Sequence, residues 1–299
     1  MRPLTSNEAE RLKRLRGLGL LDTTPEPHFD SVCRLAMAVF SAPIAIVSLA
    51  DEDRLRFKAC IGTGLREVSR EVGLCNHPIE SGEPLIVGDA LADARFADNP
   101  LVTGEPHARF YAGIPLTLHA DVCVGALCVI DTKPRQVCEE HARQLRDLAE
   151  LVVAHLRLRE RTAQYETERS LRTTTLESMD QGLIMVDADG IVQVHNSRAQ
   201  ELLGLPPDLL RSNPSFEDVR RHQVASGDFS PAAMASFPFL MRAGLDASLP
   251  CYERERPNGT VLEVRTVRLA DGGAVRTYTD VTAARCALSG SHALSGGHP

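Results

Sequence analysis

The sequence predicts an α+β protein of two domains joined by one long helix, and three observations carry that prediction. A continuous polar and charged run of helical character extends from about Cys138 to about Met179. Ahead of it lie two amphipathic helical segments and several apolar strands that read as a mainly antiparallel sheet flanked by helices. Behind it, two strands, some short helices and three further strands are separated by Gly-containing turns. The boundaries follow: a first domain over residues 1–137, a helical linker over 138–175, a second domain over 176–284, and a disordered small and polar tail over 285–299.

Composition limits the classes of function. A chain of 299 residues has room for two domains. Aromatic residues make up 4% and there is no Trp, so both cores must be built from Leu, Val, Ile and Ala. A formal net charge of −7 argues against nucleic-acid partners, which need a basic face. No apolar run approaches the roughly 18–20 residues of a transmembrane helix, and the N-terminus lacks the apolar core of a secretory signal. The expectation is a cytoplasmic protein with no membrane partner. The eight cysteines form no CxxC pair and no zinc-spaced cluster, so reduced, mostly buried thiols are expected and no metal site.

The first domain opens with a helix over residues 5–20, where Thr5 or Ser6 serves as cap and Glu8 completes a capping box. Phe29, Val32, Leu35 and Val39 give the next helix, to Phe40. Ile44–Leu49 and Leu55–Ile61 read as a hairpin turning at Asp51–Asp53. A short helix within 66–82 ends at Gly82, a strand follows in LIVGDA, and a polar loop leads to a strand entering at Arg109. VCVGALCVI (122–130) is a further buried strand. A pocket between such a sheet and its crossing loops is a favoured place for small molecules.

These segments carry a resemblance. NEAERLKRLRGLGLLDTTPEPHFD, PIAIVSLADEDRLRFKA, DARFADNPLV, FYAGIPL and GALCVIDTKPR resemble, in order, a bacterial GAF sensory domain over about residues 4–155. The likeness is to the kind found at the front of histidine kinases and diguanylate cyclases. It implies a GAF fold and a regulatory role, without fixing a ligand. If a small molecule binds, the expected surroundings are Cys75 and His77, the loop residues Arg95, Phe96 and Asn99, and Phe110 with Tyr111; the alternative is that Phe96 and Phe110 pin the loop to the core. Thiol catalysis and bilin attachment at Cys75-Asn76-His77 are disfavoured, because the neighbouring pattern for either is missing and residues two apart on a helix face different ways. Asp89, Asp93, Asp98, Asp121 and Asp131 match no calcium loop.

In the long helix, Leu145, Leu148, Leu151/Val152, His155 and Leu158 form a seam of 3/4 spacing that fades where Arg169 and Arg172 occupy it. Over about 40 residues such a helix reaches about 60 Å. The expectation is dimer contacts along Leu145, Leu148, Val152, His155 and Leu158, in a parallel homodimer, with Arg159–Thr175 as the more adjustable part; the alternative is a helix that packs its first half on the core of the first domain and is solvated thereafter.

In the second domain, GLIMVD and IVQVHN flank a tight turn at Ala188–Gly190. Asn196 or Ser197 caps a helix ending at Gly204. CYERER, TVLEVRTVRL and AVRTYTDVT are joined at Asn258-Gly259 and Asp271-Gly272, both hairpin signals. LESMDQGLIMVDADGIVQVHNSRAQELLGLP, NGTVLEVRTVRLADGG and TYTDVT resemble a PAS domain over about residues 172–284, with residues 211–248 similar to the longer insert of one subgroup. Asp280-Val281-Thr282 matches the Asp-x-Thr exit of that family, so Asp280 and Thr282 are implied as its signal exit. Ser197 stands where light-sensing relatives carry a cysteine, which disfavours flavin photochemistry. His195 and His222 are weak haem candidates.

The sequence contains no GGDEF- or EAL-type motif, no phosphoacceptor-His helix and no Gly-rich ATP lid. The resulting expectation is a non-catalytic signal-transduction sensor, with no cofactor required by the sequence and an unidentified small-molecule ligand. It would work with a downstream kinase, cyclase or response regulator. The alternative is the truncated front of a histidine kinase or diguanylate cyclase, acting in a two-component phosphorelay or in cyclic-di-GMP signalling. A small-molecule enzyme on the same fold, such as a methionine-sulfoxide reductase, is disfavoured because Cys75, Cys123 and Cys128 do not reproduce its cysteine set.

Overall fold

The structure, a computed structural model, describes residues 6–119, 122–229 and 251–285, in two compact units, Met1–Thr167 and Glu168–Pro299. In the first unit, helices α1 (Ser6–Gly17) and α2 (Pro27–Phe40) precede strands β1 (Ile44–Ala50) and β2 (Arg54–Ile61). Strand β3 (Glu67–Ser69), helix α3 (Asn76–Ser81), strand β4 (Leu85–Val87) and helix α4 (Pro100–Thr103) follow. Strands β5 (Phe110–His119) and β6 (Val122–Asp131) then lead into helix α5 (Glu139–Glu177). The strands form one antiparallel sheet in the order β3-β2-β1-β6-β5-β4.

Alternation along the strands divides the core into two layers. Ala45, Val47 and Leu49 of β1, with Phe110, Ala112 and Ile114 of β5, face α1, α2 and the first half of α5. Ile44 and Ile46, with Tyr111, Cys128 and Ile130, face α3 and the loops. β1 and β6 are buried at every position, which explains their near-continuous apolar runs.

Two local expectations change. Residues 67–69 are an edge strand rather than helix: Arg54 pairs with Ser69 and Leu55 with Val68, and the helix starts only at Asn76. A Cβ at Gly73 would lie 2.3 Å from the Leu55 side chain, so this turn packs too closely on β2 for a continuous helix. Glu8 is spent on Arg11 and Arg70, while Thr5 lies outside the described residues.

In the second unit, strands β7 (Gly182–Val186) and β8 (Val192–His195) precede helices α6 (Ser197–Leu203), α7 (Pro207–Arg211) and α8 (Phe216–Ala225). Strands β9 (Cys251–Glu255), β10 (Val261–Arg268) and β11 (Ala274–Asp280) complete an antiparallel sheet ordered β8-β7-β11-β10-β9. Ile184, Val186, Leu262, Val264 and Tyr278 present its apolar face to α6, α7 and α8. Residues 230–248 of the expected insert, and the expected tail beyond Arg285, lie outside the described residues.

Candidate functional site

The face of the first sheet opposite the helices holds a cavity of about 30 Å³, walled by apolar atoms from Ile44, Ile46, Phe57, Cys75, Ala108 and Ile130 among others. That is space for a water or two, against several hundred Å³ for the usual small-molecule site. Of the seven residues expected around a ligand, Cys75 alone lines it.

The other six have identifiable structural duties. Phe110 points to the helix side of the sheet, fully buried, with its ring stacked 6.0 Å from Phe40; strand alternation separates it from Tyr111. Tyr111 is buried on the cavity side, its hydroxyl 3.2 Å from Cys128 Sγ. It needs Gly113 beside it, because a Cβ there would meet the phenol oxygen at 2.1 Å. Phe96 is buried under the loop, with His77 edge-on at 4.8 Å and the Arg95 guanidinium 5.0 Å from its ring centroid. Arg95 makes paired bonds of 3.0 and 2.6 Å to Asp93, which hold the Asp93 carboxyl down at about 2. Asn99 caps α4 by accepting from Leu101 N, and it donates to Val72 O at 2.9 Å. These contacts anchor the loop.

Cys75 and Cys128 meet with their sulfurs 2.7 Å apart, both buried. Burial pushes the Cys128 thiol and the Tyr111 phenol well up. His77 turns away to Phe96, so the thiol pair lacks the neighbouring base that nucleophilic catalysis requires.

On α5, the expected dimer seam divides. Leu145 and Val152 are in the core of their own unit, Leu148 packs against it, and His155 lies against His28 and Phe29. Of the five, only Leu158 is strongly exposed, at 62%. The sequence showed one apolar stripe; the structure shows that most of it is intramolecular. The outward row is Leu151, Leu158 and Tyr165, at seven-residue spacing and 62–70% exposed. The clamped part also extends past Leu158: Arg159 donates to Leu18 O and Glu26, and Glu160 bonds Arg14 and His119.

A family model for the GAF domain matches residues 24–156, and one for the PAS fold matches residues 176–288. The chain pairs a GAF domain with a PAS fold. Among curated relatives, a cyclic di-GMP phosphodiesterase of Pseudomonas aeruginosa is 37% identical over 155 residues, covering 52% of this chain and 26% of its own. The chain thus spans about a quarter of the length of that relative. Solved structures include the blue-light-absorbing form of the Thermosynechococcus elongatus PixJ GAF domain, at 18% identity, with 52% and 95% of the two chains covered and a TM-score of 0.40. A free methionine-R-sulfoxide reductase of Neisseria meningitidis is at 17%, with 53% and 95% covered and a TM-score of 0.38.

In the PAS domain the fully buried Asn196 makes four side-chain hydrogen bonds. Its oxygen accepts from Leu183 N at 2.8 Å and Ala199 N at 3.0 Å. Its amide donates to Leu176 O at 2.9 Å and Gln181 O at 2.8 Å. One residue therefore caps α6, closes the β7 approach and holds the last turn of α5. The sequence offered Asn196 or Ser197 as the cap, and the structure places Asn196 there; its long-range bonds had no local signal.

At the exit, Asp280 accepts from Thr282 N at 3.0 Å and Thr282 Oγ1 at 2.5 Å, while Thr282 Oγ1 accepts from Val261 N. These bonds lower the Asp280 carboxyl and start a helical turn that closes with Arg285 N on Val281 O. Burial lowers the half-buried His195, against the opposing pull of Glu177. His222 lines an open surface concavity of about 670 Å³ with Ser215, Asp218 and Arg221. Among the described residues, no helix is long and apolar enough to cross a membrane.

Proposed function

We propose that this chain is a non-catalytic sensory segment that passes conformational state between its GAF and PAS domains through α5, acting as a parallel homodimer in the cytoplasm. The observation that carries the reading is the double role of α5. Its first half supplies Leu145, Val152 and Leu156 to the GAF core, and its final turn is bonded to the PAS residue Asn196. A change in either domain has a continuous helix to act on. Leu151, Leu158 and Tyr165 supply an exposed heptad-spaced row for a second copy. A ligand or partner would act by favouring one of two helix arrangements, which requires different affinity for the two. The 30 Å³ GAF cavity supports a sensor whose ligand must open its own space, or one that responds to a protein partner.

Sedimentation equilibrium of the chain at micromolar concentration tests the dimer. The wild type is expected to be dimeric and the double variant Leu151→Glu, Leu158→Glu monomeric and folded. A monomeric wild type sinks the relay as proposed. Native mass spectrometry of protein from its own host reads any retained ligand.

The phosphodiesterase relative favours cyclic-di-GMP signalling as the output this segment serves, ahead of a phosphorelay. Incubating the purified chain with cyclic di-GMP should yield no linear dinucleotide; turnover would overturn the non-catalytic reading.

A further inference from the structure

Where α5 leaves the GAF core, three side chains distant in sequence converge. Glu26 precedes α2, His28 sits in its first turn, and His155 reaches across from α5. Among the described residues, they are the group of His, Cys, Asp or Glu side chains whose potential ligand atoms all lie within 4.8 Å of one another. The two imidazole rings are 3.9 Å apart between centroids, inclined at 47°. Phe29 packs edge-on to His155 at 5.4 Å and so limits its tilt.

The nitrogens are what make this more than a packed aromatic cluster. The Nε2 atoms of both His28 and His155 are shielded from solvent and lack a hydrogen-bond partner. The nearest Glu26 oxygen is 3.7 Å from His28 Nε2, too long for a hydrogen bond. Buried polar atoms in folded proteins are nearly always satisfied, and two orphaned nitrogens beside one carboxylate call for an occupant.

We propose that Glu26, His28 and His155 form a binding site for a divalent transition metal, with zinc the physiological class of ion. Two imidazoles and a carboxylate are a donor set that zinc accepts, leaving a fourth position for water. In a tetrahedral site with metal–ligand bonds near 2.0–2.1 Å, donors stand about 3.3 Å apart. Closing this set therefore takes side-chain shifts of about an ångström or so.

The surrounding charges select among ions. Lys58 Nζ lies 2.7 Å from one Glu26 oxygen and Arg159 lies 3.0 Å from the other. Those cations partly neutralise the carboxylate and disfavour calcium or magnesium, which bind through oxygen charge. Ions held through imidazole nitrogen tolerate this better. A bound ion would tie the α1–α2 connection to α5 at the point where the helix leaves the GAF core, and so stiffen the base of the relay.

The test is a titration of the full-length chain, stripped with a chelator, against zinc or cobalt chloride by calorimetry, with the cobalt absorption spectrum recorded alongside. One equivalent should bind, without a thiolate charge-transfer band, and the GAF melting transition should rise. His28→Ala and His155→Ala should each weaken binding at least tenfold, while His77→Ala and His141→Ala should leave it unchanged. His28 is the safer variant for folding because its side chain is 41% exposed. No stoichiometric binding by the folded wild type, unchanged affinity in folded His28→Ala, or a cobalt spectrum dominated by thiolate would each overturn the site.

Discussion

The two ends of α5 are held by different physics. Toward the GAF domain, Ala142, Leu145, Ala149, Val152, Val153 and Leu156 bury an apolar face. Such packing is strong but non-directional. In the PAS domain the last turn is held through Leu176 O by the amide of Asn196, and Glu177 accepts from Ser197 N at 2.9 Å. Those bonds are directional and fix the helix end against one residue. Between them, every residue from Arg161 to Thr175 is exposed except the half-buried Ala163. The relay proposed above needs such a helix, held at each end within its own domain and exposed between.

Leu145→Ala should show the largest effect. The side chain is fully buried, and truncation there should cost the GAF unfolding transition about 2–5 kcal/mol. Leu158→Ala, two residues past the last buried leucine, should stay within about 0.5 kcal/mol in the monomer. Urea titrations of both variants break the comparison if Leu158 proves as costly as Leu145.

Asn196→Ala comes next. It strips Leu183 N of its side-chain partner and takes the amide donor from the Gln181 and Leu176 carbonyls, of which Leu176 O keeps Met179 N at 3.4 Å, while Ala199 N keeps the Asn196 main-chain oxygen at 3.1 Å. Because these groups are only part-buried, a loss of about 1–3 kcal/mol is expected in the PAS transition. Proton exchange should also quicken in the last turn of α5. If the GAF transition shifts equally, the two clamps are not independent.

Much of this architecture was legible because strand alternation, capping residues and hairpin dipeptides are local signals. β1 and β6 read as buried strands, and Asn258-Gly259 and Asp271-Gly272 placed their turns between β9, β10 and β11. The helix seam left two readings open, a second copy or its own domain, for a physical reason. Heptad spacing identifies an apolar face but not its partner, and Leu145 and Val152 turned out to serve their own domain. Phe110 and Tyr111 were grouped because they are adjacent, although a strand sends neighbours to opposite faces. Glu26, His28 and His155 could not be connected at all, since 127 positions of chain separate the two histidines and only the fold brings them together.

Glu160→Gln probes the polar part of the GAF clamp. Glu160 bonds Arg14 at 3.1 Å and His119 at 3.0 Å, so the helix is fixed one turn beyond its last buried leucine. With Arg14 and His119 both partly in solvent, the expected loss is about 1 kcal/mol, detectable in the GAF transition and absent from the PAS one.

Acid should also act on the GAF unit through its bonded carboxylates, whereas the Asn196 amide does not titrate. Burial acts to raise the Glu8 carboxyl, but hydrogen bonds from Arg11 and Arg70 outweigh it and hold the group below its ordinary range. A carboxyl lowered on folding adds stability that is present above its unfolded pKa, about 4.3, and is lost as pH falls through the lower folded value. Glu8→Gln should therefore lower GAF stability at neutral pH by about 1 kcal/mol. The gap from wild type should then narrow below about pH 4, as the wild-type carboxylate also takes up a proton. Thermal melts at stepped pH give the comparison directly. A gap that stays constant into acid would assign the contribution of Glu8 to packing rather than to its charge.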